Sequence, residues 1–235
     1  MYYIKEFLLE EKDFDLYGNL LPFKVLDIFE NGAATHGELL GVGEKTMSGK
    51  NLFWVISQIK YKVIKNPKPE DRVVLKTWPI EPSGIGFLRE YLILDSLGET
   101  LIMGSANWLT ISRDDRKLKI GERVFPEMEF SKELNFGKKI PRLRETSIME
   151  KVYSVTINKN HIDSNSHVNN KHYTTFIKDA LGGFTGEIDL LQIDYIQEIM
   201  PDDSVEIFLC KNDKEYLIKG ESNLKKHFLA KVIYK

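Results

Sequence analysis

The stretch HIDSNSHVNNKHYTTF, residues 161–176, sets the reading of the whole chain. Val168, Tyr173, Phe176, Ile177, Ala180 and Leu181 recur with helical spacing, which predicts a helix from about Val168 to Leu181 with Gly182-Gly183 as its stop signal. Starting a helix takes one short polar side chain as a cap. Here Asp163, Asn165, His167, Asn169 and Asn170 crowd the approach and the first turn, and Asn is a poor helix-interior residue. The surplus calls for a reason other than helix propensity.

The same pattern occurs earlier in the chain. FDLYGNLLPFKVLDIF from Phe14 aligns with IDSNSHVNNKHYTTFI from Ile162, and the alignment pairs Asp15 with Asp163. PEDRVVL from Pro69 aligns with PDDSVEI from Pro201, and REYLIL from Arg89 with KEYLIK from Lys214. The order is kept while the offset shrinks from 148 to 132 to 125, as shorter connections in a second copy would produce. Each copy reads as one strand, one helix and four strands. In the first, the strands are expected near 2–11, 52–65, 72–81, 87–95 and 100–111, with a helix from about Leu20 toward Leu40. In the second they fall near 151–158, 190–198, 203–210, 214–220 and 227–234. The expected fold class is α+β: two tandem hot-dog repeats, each a helix wrapped by an antiparallel sheet, with the sheets paired edge to edge. Residues 1–130 form the N-terminal repeat, 131–149 a basic connector and 150–235 the C-terminal repeat.

Totals narrow the function classes. The formal charge of −2 gives no global attraction to nucleic acid or anionic membrane, so a charged partner must meet a local patch. No apolar run approaches the ~18 residues of a membrane helix, and the start MYYIKEFLLEEKDF carries acids where a signal peptide needs a basic, then apolar, segment. Cys210 is the only cysteine, which excludes an intramolecular disulfide and a cysteine metal cage. These features lead us to expect a cytoplasmic protein without signal or transit peptide.

The two copies differ where chemistry would sit. Tyr17 and Asn19 of the first copy stand where the second has Asn165 and His167. A helix start offers free amides and a positive dipole end to a carbonyl oxygen that becomes negative during acyl transfer. Asn165 could orient the carbonyl or water, and His167 could move a proton near neutral pH. That chemistry suits ester or thioester hydrolysis.

DSNSHVNNKHY resembles the D-x-N-x-H-V-N-N-x-x-Y motif of the acyl-ACP thioesterases, matching at Asp163, Asn165, His167, Val168, Asn169, Asn170 and Tyr173. IDYIQEIMPDDSV resembles the family's E-Y-R-R-E-C-x-x-D-S-V strand, aligning Asp194, Tyr195 and Glu198. The resemblance implies hydrolysis of fatty acyl-ACP to free fatty acid, with Asp163, Asn165, His167 and Glu198 catalytic and Val168, Asn169 and Asn170 on the substrate side. Plant members carry a cysteine after that Glu, where this chain has Ile199. The departure implies attack by water with Glu198 and His167 as the acid/base pair. Which of Asp163, Glu198 and His167 takes the water proton stays open.

Other features are weaker. His161 and His172 flank His167, but spacings of six and five do not gather three metal ligands on one helical face. No cofactor is expected. GVGEKTMSGKN from Gly41 departs from a phosphate loop, with five residues between Gly43 and Gly49 and Asn51 after Lys50, and reads as a loop. Trp54, Trp78 and Trp108, with Phe53 and Phe87, lie on first-copy strands, and Trp54 and Trp108 are candidates to line an acyl pocket there. Arg113, Arg116, Lys117, Lys119 and Arg123 form one basic cluster, read as solvated charge. Lys138, Lys139, Arg142 and Arg144 form a second, suited to the acidic acyl carrier protein and its acyl-phosphopantetheine arm. Neither cluster interleaves aromatics, so nucleic acid is not an expected partner, nor is membrane. An open sheet edge could pair two chains as a homodimer. The alternatives are a hot-dog acyl-CoA thioesterase and a non-catalytic acyl-binding protein.

Overall fold

The computed structural model describes residues 1–82, 84–119, 125, 130–137, 139–162, 167–201 and 203–235. Its strands are β1 (Tyr3–Leu8), β2 (Leu52–Val63), β3 (Arg72–Pro79), β4 (Phe87–Leu94), β5 (Thr100–Ser112), β6 (Glu150–Thr156), β7 (Ile188–Tyr195), β8 (Ser204–Asn212), β9 (Glu215–Ser222) and β10 (Lys225–Tyr234). The helices are α1 (Pro22–Leu39), α2 (Glu44–Gly49) and α3 (His172–Ala180).

All ten strands form one antiparallel sheet in the order β1-β3-β4-β5-β2-β7-β10-β9-β8-β6. The order reads the same from either end once the second five strands are matched to the first five, which is the expected duplication. The halves join where β2 pairs with β7, from Gln58↔Asp194 to Lys62↔Leu190. This seam closes the edge that each half would otherwise expose. Register refines the repeat alignment: Leu75 pairs with Ile93, whereas its counterpart Ile207 pairs with Gly220. The β4/β9 correspondence is therefore displaced by two residues from REYLIL/KEYLIK. A two-residue slip keeps every side chain on its face, so sequence pattern alone cannot detect it.

α1 and α3 lie on one face of the sheet and share a core that includes Phe29, Tyr91, Ile93, Phe176, Ile193 and Phe228. Pro22 opens α1 from an extended Leu21, a position where its missing N–H costs nothing. Phe29 stacks on Tyr91 at 4.3 Å, and a Cβ at Gly104 would collide with the Phe29 ring, so the glycine sets how closely α1 approaches the sheet. At the end of α3, Gly183 N–H donates to Lys178 O and Gly182 N–H to Asp179 O, with both glycines at positive φ. That is the glycine stop expected from the sequence.

Two expectations need correction. α3 begins at His172, not near Val168, because Val168 N–H donates to Ile199 O and Asn169 N–H to His161 O. Val168 also bridges Ile162, which holds it in extended geometry outside the helix. The segment after α1 contains the short helix α2, where Glu44 N–H donates to a Glu38 carboxylate oxygen, in place of a plain loop.

The connector crosses the sheet face opposite the helices. Asn135 bonds Tyr91 O and Gly104 O through its side-chain amide and donates its backbone N–H to Glu90. Further along, Gln58 and Gln192 donate to Pro141 O, and Leu143 N–H donates to Asp194. No helix is long and apolar enough to cross a membrane among the described residues.

Candidate active site

The loop that carries the motif is held by the same frame in both repeats. Isolated bridges join Phe14 to Leu20 and Ile162 to Val168, at the offset of 148 seen in the sequence. In the first copy Asp15 accepts the N–H groups of Tyr17 and Asn19, both at 2.8 Å, so this acid organises a turn. Asp163 and Asn165 of the second copy lie outside the described residues, as does Lys138. Val168 is buried in the core, Asn169 accepts Lys171 N–H at 3.0 Å, and Asn170 O accepts the Tyr195 hydroxyl. These three hold the loop, and none lines the cavity described below.

His167 is the last residue of that loop and is 7% exposed. Its Nε2 lies 3.1 Å from Glu198 Oε2. Glu198 follows β7, and its backbone is fixed from the second repeat's own strands. His227 on β10 faces Gln197 O and Glu198 O through Nδ1, at 3.2 and 3.1 Å. Carbonyls only accept, so Nδ1 carries the hydrogen, and Nε2 of the neutral ring accepts from Ser222 Oγ at 2.6 Å. His227 is 2% exposed, and replacing it would leave two carbonyls without this donor.

A third side chain comes from the first repeat. Arg116, just beyond β5, donates to Glu198 Oε2 at 3.3 Å and also contacts His167 Nε2. Its φ of 54° is a left-handed conformation that costs a side-chain-bearing residue about 1–2 kcal/mol. Arg116 takes it in the tight turn after β5, where Ser112 N–H donates to Lys117 O and Arg116 N–H to Ser112 O. The sequence reading left Arg116 among solvated charges, and nothing in a run of five basic residues separates it from Arg113 or Lys117.

Beside this cluster the first repeat forms a half-open cavity of about 550 Å³ between α1, α2 and strands β2, β4 and β5. Phe53, Trp54, Phe87, Trp108 and Phe125 supply aromatic wall, and Met47 and Val42 aliphatic wall. Trp54 and Trp108, the sequence candidates for an acyl pocket, both line this cavity. Cavity and cluster meet at Phe53: its ring carries the Arg113 and Arg116 guanidinium groups at 5.6 and 5.0 Å.

The remaining candidates fall elsewhere. Ile199 is fully buried, and its carbonyl takes Val168 N–H, so the position that is cysteine in plant relatives is a core position here. His161 and His172 pack edge to face at 5.3 Å. Asp194 is 1% exposed on the sheet face opposite the helices, where it accepts from Gln58, Gln192 and Leu143. It anchors the connector. Arg142 approaches Asp194 to 4.0 Å, and Lys139 and Arg144 belong to the same connector.

Comparison with known proteins follows the same division. The family model described as acyl-ACP thioesterase N-terminal domain matches residues 1–128, and that described as acyl-ACP thioesterase C-terminal domain matches 144–228. Oleoyl-acyl carrier protein thioesterase 1, chloroplastic, of Arabidopsis thaliana is 27% identical over 177 residues, 68% of this chain and 49% of that protein. Palmitoyl-acyl carrier protein thioesterase, chloroplastic, of the same plant is 32% identical over 146 residues, 57% of this chain and 34% of that protein. The chain spans about half the length of the first of these relatives. The crystal structure of an acyl-ACP thioesterase from Bacteroides thetaiotaomicron superposes with a TM-score of 0.84 at 22% identity, covering 100% of this chain and 98% of that one. The 12:0-ACP thioesterase from Umbellularia californica gives 0.84 at 17% identity, covering 100% and 97%. At these identities the superpositions establish the tandem hot-dog fold.

Proposed function

The chain belongs to the acyl-ACP thioesterase family, and from that premise we propose that it hydrolyses fatty acyl thioesters of acyl carrier protein to free fatty acid and the carrier's thiol. The observation that carries this reading is the 3.1 Å contact of His167 Nε2 with Glu198 Oε2 beside an apolar cavity of about 550 Å³. The first repeat holds the acyl chain, and the second performs the chemistry. Water attacks the carbonyl carbon, and its proton passes to the His167–Glu198 pair. The carbon–sulfur bond then breaks, and the leaving thiolate takes a proton. Burial of Ile199 supports water in place of a thiol nucleophile.

Asn165 orients the carbonyl or the water, and Asp163 orients His167, as the motif they share with His167 implies. The oxyanion is not served by Val168 N–H or Asn169 N–H, since both are bonded within the protein. Arg116, in contact with His167 and Glu198, is a cation able to serve it. Lys138, Lys139, Arg142 and Arg144 meet the acidic carrier, and the reaction needs no cofactor.

Thiol release measured on matched acyl-ACP and acyl-CoA substrates tests the reading. Preference for acyl-ACP is expected. Equal or better turnover of acyl-CoA would remove the carrier assignment while leaving the thioesterase.

A further inference from the structure

The cavity holds a charge that a plain hydrocarbon chain cannot use. Alternation along β4 puts Phe87, Arg89, Tyr91 and Ile93 on the helix-facing side, and Arg89 lines the cavity while being only 6% exposed. Its Nη1 meets His36 Nδ1 at 3.1 Å and Thr77 Oγ1 at 3.4 Å. Both partners are uncharged at neutral pH, because burial, and then the nearby Arg89 charge, hold His36 down to about 4. No carboxylate pairs with Arg89 among the described residues, and none of their acceptors takes its Nε or Nη2. Glu90, next in sequence, points to the opposite sheet face, where it accepts from Ser105 and Asn135. Since His36 Nδ1 accepts from Arg89, His36 Nε2 carries the hydrogen, and that atom is buried without a partner.

Buried charge is costly unless it meets an opposite charge or strong acceptors, and an unspent buried donor adds to the cost. A methyl terminus beside Arg89 would leave its charge without a further acceptor. A ligand oxygen would supply one. Arg89 lies opposite Ala106 on β5, and Phe53 lies opposite Ile111. The five-residue separation corresponds to about 17 Å along the strands, so Arg89 sits far from the end where the thioester would lie.

We propose that the part of the cavity lined by Arg89 is an oxygen-binding subsite built on that guanidinium, which His36 holds from behind, and that the preferred acyl chain carries a hydroxyl, oxo or carboxylate oxygen at its far end. This rests on the reading that the cavity holds the acyl chain. It does not depend on turnover, so binding can test it separately.

Calorimetric titration of the wild type with amide-linked analogues of tetradecanoyl-pantetheine and ω-hydroxytetradecanoyl-pantetheine gives that test. The amide removes hydrolysis, and the linkage removes the free carboxylate that could itself seek Arg89. About tenfold tighter binding of the ω-hydroxy chain is expected, the gain of a hydrogen bond to a charged donor. An ω-carboxy chain should gain at least as much. Moving the hydroxyl to mid-chain should abolish the gain, which keeps the test independent of any variant. Arg89→Met, checked for folding by circular dichroism, should bind substituted and plain chains alike. Equal or weaker binding of both oxygenated chains by the wild type would overturn the subsite while leaving the acyl cavity. Failure of every chain to bind would overturn the cavity reading and the subsite with it.

Discussion

A neutral imidazole nitrogen carries either a hydrogen or a lone pair, so His167 Nε2 cannot serve the donor Arg116 and the acceptor Glu198 at once. Glu198 can accept from both, which makes it the centre of the cluster, and Arg116 is the group that substrate could displace. Arg116→Met is expected to lower kcat about tenfold in a steady-state assay. Its Tm should move little, because the side chain is 44% exposed and exposed ion pairs contribute roughly 0–1 kcal/mol. An unchanged kcat would remove Arg116 from the chemistry. His227→Phe should cost roughly 1–3 kcal/mol in denaturant unfolding, since Gln197 O and Glu198 O lose a buried donor. Full stability would contradict the positioning role. At this scale legibility was uneven. His167 and Glu198 could be named because the motif surrounds them, whereas Arg116 reaches the site through a turn that pattern does not encode. Arg89 was visible in principle, as a charge in phase with Phe87, Tyr91 and Ile93 on a strand.

Among the elements, strands were the most legible, because alternating burial and turn residues delimit them directly. β5 was expected near 100–111 and runs Thr100–Ser112. α3 was less so: its apolar stripe is real, yet its start depends on hydrogen bonds from Val168 to Ile199 and from Asn169 to His161, partners remote from a helical pattern. The connector shows the same limit, since nothing in its sequence reveals that it lies on the back of the sheet. One of its anchors has a pH signature. Burial raises Glu90 from 4.5 to about 7, opposed by the bonds from Ser105 and Asn135. The folded state thus holds this proton more tightly than the unfolded chain. The resulting stabilisation is fully present below about pH 4.5 and is lost as pH rises through about 7, a change of about 3 kcal/mol. Glu90→Gln keeps the bonding and removes the titration, so its stability relative to wild type should rise between pH 5 and about pH 8 in denaturant unfolding. A constant difference would contradict a neutral buried Glu90.

For the whole molecule, the duplication underlies the proposed division of labour. One frame, bridged at Phe14↔Leu20 and Ile162↔Val168, closes a turn in the first copy and carries His167 in the second. The first repeat contributes Arg116 to the cluster and holds the longer helix and the cavity. On the proposed function, near-zero net charge makes carrier recognition local, so reversing Lys139, Arg142 and Arg144 to Glu should raise KM for acyl-ACP several-fold, with a weaker effect at high salt. An unchanged KM at low salt would place docking elsewhere. The central claim is that His167 acts in the chemical step of thioester hydrolysis. It is tested most directly by thiol release from acyl-ACP by wild type and His167→Ala, with substrate binding measured for both. A loss of turnover exceeding about a hundredfold with binding preserved is the predicted result. Undiminished turnover in the variant, or a wild type that binds acyl-ACP without hydrolysing it, would contradict the account.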